Sequence, residues 1–326
     1  MRYVILGGGG SFGLHTAKYL LDQPGTEHVM SIGRAPPKPP CFTMRVGEGS
    51  ERYAYTPLHI TYDIVSVLKL FDLIKPDVII NFAAQGEGAT SFTSSWQYFE
   101  TNCVGLSRLV EALIGKKWLQ RFIHISTSEG YGSTDRPATE DFPATPTSPY
   151  AVSKIAFDQY LSLLGNRGFP ATIVRPSNAY GEGQQLHRFI PKAFLFGMTG
   201  RKVPLHGGGK AEKSYIHSED LARAIYLLRD KPLGIYNVGP TEPIAMIEVA
   251  NMIAYRVAML TSELFDVSAP DRAHQDARYW IDSTKIRMLG WHETINWDVG
   301  LDRVGNWVFD NLEELQNQPV DFVMRP

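Results

Sequence analysis

Four consecutive glycines, Gly7-Gly8-Gly9-Gly10, stand between the short apolar run Tyr3–Leu6 and a segment, Leu14–Leu21, whose apolar residues recur three and four apart. A strand that ends in glycines and turns at once into a helix constrains the fold more than anything else in the chain. It reads as the opening of a strand–helix–strand unit. The pattern continues: His28–Ile32, Val78–Asn81, Phe122–Ile125 and Ala171–Val174 read as buried strands, and Ile64–Ile74, Trp96–Leu113 and Tyr150–Leu164 as helices. Alternation of this kind predicts an α/β fold, a doubly wound parallel sheet covered by helices on both faces with right-handed crossovers. Ligands of such sheets bind beyond the carboxyl ends of the strands.

From about Pro176 the rhythm changes to Gly- and Pro-rich segments with isolated helices, which predicts a smaller α/β substrate domain. Residues 1–175 are expected to form the sheet domain, with 212–232 and 281–291 returning to it. Residues 176–326 are expected to be mainly the smaller one, drawing on 176–200 and 235–280. The run Ala35–Pro40 reads as a stiff surface excursion. A length of 326 residues suits one large or two coupled domains, and 44% hydrophobic residues exclude a disordered chain. A net charge of −2 removes the electrostatic case for nucleic acid or an anionic membrane. Cys41 and Cys103 are too few for a disulfide framework or a cysteine-rich metal site, and no metal site is expected. The first apolar run is too short for a signal-peptide core, and none approaches the ~18 apolar residues of a membrane span. A cytoplasmic protein is the expectation.

The loop Gly7-Gly8-Gly9-Gly10-Ser11-Phe12-Gly13 satisfies both G-x-G-x-x-G from Gly8 and G-x-x-G-x-x-G from Gly7. Either spacing lets backbone approach a pyrophosphate, whose charge meets amides at a helix N-terminus. The second strand ends in Arg34 instead of the acid that grips a ribose hydroxyl. A guanidinium there leans toward a 2′-phosphate, and stacking on adenine or simple solvation are the alternatives. Tyr150 and Lys154, four apart at a helix start, share one face. The pair is a helix surface or a base. An ammonium and the positive ring of an oxidised nicotinamide favour phenolate, and about 4 kcal/mol brings a phenol from ~10 to ~7. Thr127, Ser128 and Glu129 end the strand before it, either as turn caps or as groups at the reactive centre.

With these residues in hand, the chain resembles the extended short-chain dehydrogenases/reductases that act on nucleotide sugars, over nearly its whole length. The resemblance implies a Rossmann domain and a tightly bound NAD or NADP. Gly7, Gly10, Ser11, Phe12 and Gly13 would hold it, with Arg34, Asp63, Ile64, Ala83, Ala84 and Asn102. Tyr150 and Lys154 match the family's catalytic pair, and Thr127 its Ser/Thr. Ser126-Thr127-Ser128-Glu129 is most similar to the strand end of 4,6-dehydratases. C4 epimerases and UDP-glucuronate decarboxylases share the scaffold, and the decarboxylases share a similar strand end. The resemblance further implies a nucleotide-diphosphate sugar as substrate and a homodimer through helices around Asn102 and Tyr150. Leu106, Leu109, Val110 and Leu113 fit that dimer face or plain core.

For the substrate side, the resemblance implies contacts from Gln85, Thr127, Asn178, Phe189, Lys213, Arg272 and Arg278. Asn178 could equally be a turn residue, and His217 reads better as a packed histidine than as a catalyst. Two departures stand out. Lys213 replaces an arginine and loses its bidentate fork. Gly86-Glu87-Gly88 replaces Ser-His-Val, which adds a carboxylate near the sugar or one that turns outward. The expected reaction is 4,6-dehydration. Tyr150 takes the C4 hydroxyl proton, and Glu129 removes the C5 proton and assists departure of the C6 hydroxyl.

Overall fold

The computed structural model describes residues 1–271, 277–322 and 324. Seven parallel strands form the central sheet in the order β7-β6-β5-β4-β1-β2-β3. They are β1 (Arg2–Leu6), β2 (His28–Gly33), β3 (Tyr53–Pro57), β4 (Val78–Asn81), β5 (Arg121–Ile125), β6 (Ala171–Pro176) and β7 (Gly234–Val238). Their continuous apolar runs suit strands buried on both faces: β5 has no exposed residue, and β1 is covered from Tyr3 to Leu6.

One face packs on α1 (Ser11–Leu21), and the other on α2 (Ile64–Ile74), α3 (Leu106–Leu113) and α4 (Pro149–Gly165). Leu106, Leu109, Val110 and Leu113 lie in this second core at 0–2% exposure. They are core and present no free face. The stretch expected as one helix over Trp96–Leu113 is helical from Ser95, but a widened π-helical turn, Glu100–Gly105, interrupts it.

A second, smaller core joins α5 (Phe189–Met198), α7 (Met246–Arg256) and α8 (Trp297–Asp310). α6 (Ser218–Leu228), with Ile286 and Trp291, packs instead against the α1 face of the large sheet. Three differences from the sequence reading have clear causes. Residues 234–238, expected in the smaller domain, form the edge strand β7 of the large sheet; Tyr236 and Val238 are buried there. The Pro-rich excursion ends in an anchor. Cys41 and Phe42 bury in the smaller core, the Phe42 ring lies 6.1 Å from that of Trp307, and the Trp307 indole donates to the Cys41 carbonyl at 2.6 Å. β3 escaped the reading because its residues are only half-buried and carry no apolar run.

Candidate active site

At the carboxyl end of β1 the glycines are a steric requirement. Gly7 has φ +75°, and a Cβ on it would stand 2.7 Å from the Ala83 nitrogen at the end of β4. A Cβ on Gly13 would stand 2.7 Å from the Gly8 Cα, so the helix rests directly on its own loop. Gly10 is the N-cap of α1 and offers no side chain to the first-turn amides. A cradle that any Cβ would fill, at the amide end of an eleven-residue helix, fits a pyrophosphate. Ser11 is buried and Phe12 half-buried in that turn. Asp63 is exposed and accepts the His59 amide at 2.8 Å, and Ile64 is buried behind it.

Ala83 and Ala84 follow β4, half-buried, with the Ala83 amide donating to Asn81 at 3.2 Å. Asn102, inside the widened turn, accepts from the Gln85 amide at 2.8 Å and donates to the Gln85 carbonyl at 3.0 Å and to Ser153 Oγ at 2.9 Å. One amide therefore joins the β4 loop to the helix that carries Tyr150. The Gln85 side chain is buried and accepts from Arg34 Nη1 at 3.1 Å, on the glycine-loop side of the cleft.

Thr127, Glu129 and Tyr150 converge. Thr127 Oγ1 accepts the Glu129 amide at 3.2 Å and shares a hydrogen bond with the Tyr150 hydroxyl. Ser128 is buried in the same short turn. Gly88 passes so close that a Cβ there would stand 3.3 Å from Glu129 Oε2. The Tyr98 ring meets the Tyr150 ring edge-on at 6.3 Å. Burial, then the Glu129 carboxylate, push the Tyr150 phenol above its ordinary value, against the Thr127 hydrogen bond and the Arg188 charge.

That differs from the acidified phenol expected of a neighbouring lysine, and the reason is where the ammonium goes. Lys154 is 2% exposed; its Nζ donates to the Ile125 carbonyl at 2.7 Å and lies 3.3 Å from His124 Nε2. Burial brings Lys154 down to about 8, against the pull of Asp158. Behind it, His124 Nδ1 faces the Asn81 side-chain nitrogen at 2.9 Å. Asn81 Oδ1 already accepts from Ala83, so the amide NH2 points at His124 and the imidazole proton sits on Nε2, toward Lys154 and Asp158. Asp158 accepts from Arg175 at 2.9 Å and Ser126 at 2.8 Å.

The sequence reading missed this buried set. A signal existed: Tyr150, Lys154 and Asp158 are spaced i, i+4, i+8 on one helix face, and His124 and Ser126 share a face of β5.

On the substrate side, Asn178 Nδ2 is buried with no hydrogen-bond partner among the described residues, a donor awaiting an acceptor. Phe189 stacks on Phe265 at 5.7 Å. Lys213 lies half-buried, 5.8 Å from the Tyr279 ring. Arg278 is paired with Glu212, and Arg272 lies outside the described residues. His217 is 1% exposed, with one ring nitrogen 3.1 Å from Glu182 and the other accepting the Glu219 amide. Glu87, which sequence alone left facing in or out, turns in: its carboxylate lies 3.1 Å from Arg188, the N-cap residue of α5. Among the described residues no group of three or more His, Cys, Asp or Glu could hold a metal ion, and no helix is long and apolar enough to cross a membrane.

A parallel sheet with a glycine cradle and a Tyr–Lys helix beside it defines a nucleotide-cofactor oxidoreductase scaffold. Residues 3–239 match the model of the NAD dependent epimerase/dehydratase family, and the chain belongs to that family. The chain is 35% identical over 266 residues to the trifunctional UDP-glucose 4,6-dehydratase/UDP-4-keto-6-deoxy-D-glucose 3,5-epimerase/UDP-4-keto-L-rhamnose-reductase RHM3 of Arabidopsis thaliana. That match covers 77% of this chain but only 38% of the plant protein. It is 32% identical over 256 residues to the dTDP-D-glucose 4,6-dehydratase of Mus musculus, covering 76% of this chain and 72% of that one. Among solved structures it resembles DesIV, a dTDP-glucose 4,6-dehydratase from Streptomyces venezuelae with NAD bound. That match has a TM-score of 0.87 at 27% identity over 96% of this chain and 98% of that one. The UDP-glucose 4-epimerase of Thermus thermophilus in complex with NAD matches at TM-score 0.84 and 26% identity, covering 94% of this chain and 98% of that one.

Proposed function

We propose that this chain is an NAD-type, nucleotide-sugar 4,6-dehydratase that converts a hexose into its 4-keto-6-deoxy form. The observation that carries the reading is the carboxylate of Glu129, which lies against Gly88 and acts on the Tyr150 phenol, while the Glu129 amide donates to the Thr127 hydroxyl. C4 oxidation alone needs no such acid. Elimination across C5 and C6 does, because a proton must leave C5 and one must join the departing hydroxyl.

A bound NAD-type cofactor would supply the acceptor for the C4 hydride and its return to C6, and the positive ring that favours phenolate. Gly7, Gly10, Ser11, Phe12 and Gly13 would hold its pyrophosphate, with Asp63, Ile64, Ala83, Ala84 and Asn102 along its length. Arg34 is the residue whose replacement distinguishes NADP from NAD. Tyr150 takes the C4 hydroxyl proton while Thr127 keeps that oxygen in place. The new C4 carbonyl acidifies C5. Glu129 takes the C5 proton and gives it to the C6 oxygen, which leaves as water, with Ser128 beside it; once C6 is reduced, C5 regains a proton, which in the net balance is the one Tyr150 took from the C4 hydroxyl. Lys154 keeps its ammonium on the Ile125 carbonyl, four residues along the helix from the phenol. Asn178, Phe189, Lys213 and Arg278 would form the nucleotide and diphosphate wall.

Replacing Glu129 tests the scheme. Glu129→Gln is expected to lower water loss at least about 100-fold while C4 oxidation persists, read as a lasting reduced-cofactor absorbance and a bound sugar that has lost two hydrogens but no water. Undiminished release of the 4-keto-6-deoxy product would remove Glu129. A C4 epimerase, which the family and the Thermus neighbour keep as the second reading, would return a product of unchanged mass from the unaltered protein.

We further infer a cytoplasmic homodimer. Trp96, Val104 and Val152 are 62%, 53% and 39% exposed on the helices flanking Asn102 and Tyr150, which supports pairing there. The two free cysteines fit a reducing compartment.

A further inference from the structure

The loop Gly86–Gly88 and the first residue before α5 meet across the cleft and carry a feature that the reaction itself does not use. Glu87 holds a left-handed backbone, φ +82°, rare for a residue with a side chain. Its carbonyl accepts from the Tyr98 hydroxyl at 2.9 Å and from Thr90 at 3.2 Å, which fixes the turn. Its side chain is only 19% exposed and is paired with Arg188, whose own side chain is 43% exposed. The next residue, Gly88, lies against the Glu129 carboxylate and Ser148. Both the Glu87 and the Arg188 charges act on the Tyr150 phenol. The loop therefore flanks the part of the subsite where C5 and C6 of a hexose would be handled.

Two carboxylates, Glu87 and Glu129, thus face that end of the sugar, with one guanidinium to offset them. His187 lies 3.9 Å from Glu87, but burial and the neighbouring Arg188 lower it to about 4, so at neutral pH it adds no charge. A neutral hexose can donate hydroxyl protons to such acceptors. A hexuronate would bring a third anion into the same space, and like charges brought together without water repel strongly.

We propose that Glu87, neutralised by Arg188, makes this subsite selective for neutral nucleotide hexoses over nucleotide hexuronates. The inference rests on the reading of the cleft as a nucleotide-sugar site. It adds a residue that decides between the substrate of a dehydratase and that of a uronate decarboxylase.

The test measures binding of UDP-glucose and UDP-glucuronate to the NAD-loaded full chain by calorimetry, for the unaltered protein and for Glu87→Gln. The hexose-to-uronate affinity ratio is expected to favour the hexose and to fall at least about tenfold in the variant, where Arg188 is released to meet the uronate. Glu87→Gly is the companion variant: it removes the charge and suits the left-handed backbone, so it reads the same quantity if the glutamine disturbs the loop. A ratio that stays within about twofold in both variants, or an unaltered protein that binds the uronate as tightly as the hexose, overturns the proposal. Turnover is followed separately. Charge preference without water loss keeps this inference and defeats the dehydratase reading; water loss without charge preference does the reverse.

Discussion

Asp158, on the helix that carries Tyr150, and Glu182, between α1 and α8, are carboxylates largely withdrawn from water that face an arginine and a histidine. Their proton affinities move in opposite directions. Burial lifts Asp158 above the usual carboxylate range, although Arg175 and the Ser126 hydroxyl pull against it. Burial acts on Glu182 in the same sense, yet the His217 hydrogen bond, the His15 charge and a bond to its own amide outweigh it, and the group falls well below that range. The difference lies in the count of donors. Glu182 has Arg303 at 2.7 Å on one oxygen and His217 at 3.1 Å on the other. Asp158 has both its donors on Oδ2, and Oδ1 has no hydrogen-bond partner among the described residues, with His124 Nε2 at 3.8 Å. Complete coordination makes Glu182 a clamp that ties α1, through His15, to α8, through Arg303. Incomplete coordination makes Asp158 a counter-charge that leaves Lys154 adjustable.

The largest effect expected from this contrast is that of Asp158→Ala. Arg175, 6% exposed, loses its counter-ion, and breaking such a buried pair costs about 3–5 kcal/mol, measured by denaturant unfolding. A loss under about 1 kcal/mol would mean that the two carboxylates are equivalent bystanders. Glu182→Gln comes next, at about 2 kcal/mol, because its arginine is more exposed and can turn to water.

The sign of the pH dependence sharpens the distinction. Glu182, depressed when folded, contributes stability that is complete above the unfolded carboxylate value of about 4.3 and fades as pH falls toward its folded value. The gap between the unaltered protein and Glu182→Gln should therefore close in acid. Asp158, raised when folded, has the opposite sign: its ionisation costs stability at neutral pH, and that cost shrinks as pH falls below its folded value and is gone below the unfolded value of about 3.9.

The smallest effect is kinetic. Lys154 is charged below about 8 and loses its proton above. Activity that needs the ammonium should fall as pH rises through about 8, and Asp158→Asn should move that limb to lower pH. A limb that stays in place would show that Asp158 does not reach Lys154.

How much of this was legible depended on whether a neighbour in sequence or a neighbour in space decides the position. The sheet and the cradle were readable because a buried strand and a glycine turn write themselves in consecutive residues, as Tyr3–Gly13 does. Thr127, Tyr150 and Lys154, the side chains proposed for the chemistry, were named from local spacing together with the family resemblance. The direction of the Lys154 ammonium did not, since it depends on His124 and the Ile125 carbonyl, about thirty residues away. Nor did the partner of Glu87, since Arg188 arrives from the N-cap of α5. β7 was hidden because its companion, β6, lies about sixty residues earlier and its own sequence opens with a glycine.

The widened turn at Glu100–Gly105 holds one residue more than an ordinary helix would use for the same rise. That extra residue sets the direction in which Asn102 aims its amide. Were the segment shortened by one, the coil would wind shut and the amide would rotate by about 100°, away from both Gln85 and Ser153. The loop beside the cofactor cradle and the helix bearing the phenol would then drift independently. A single supernumerary residue keeps the β4 loop and the helix of Tyr150 in register.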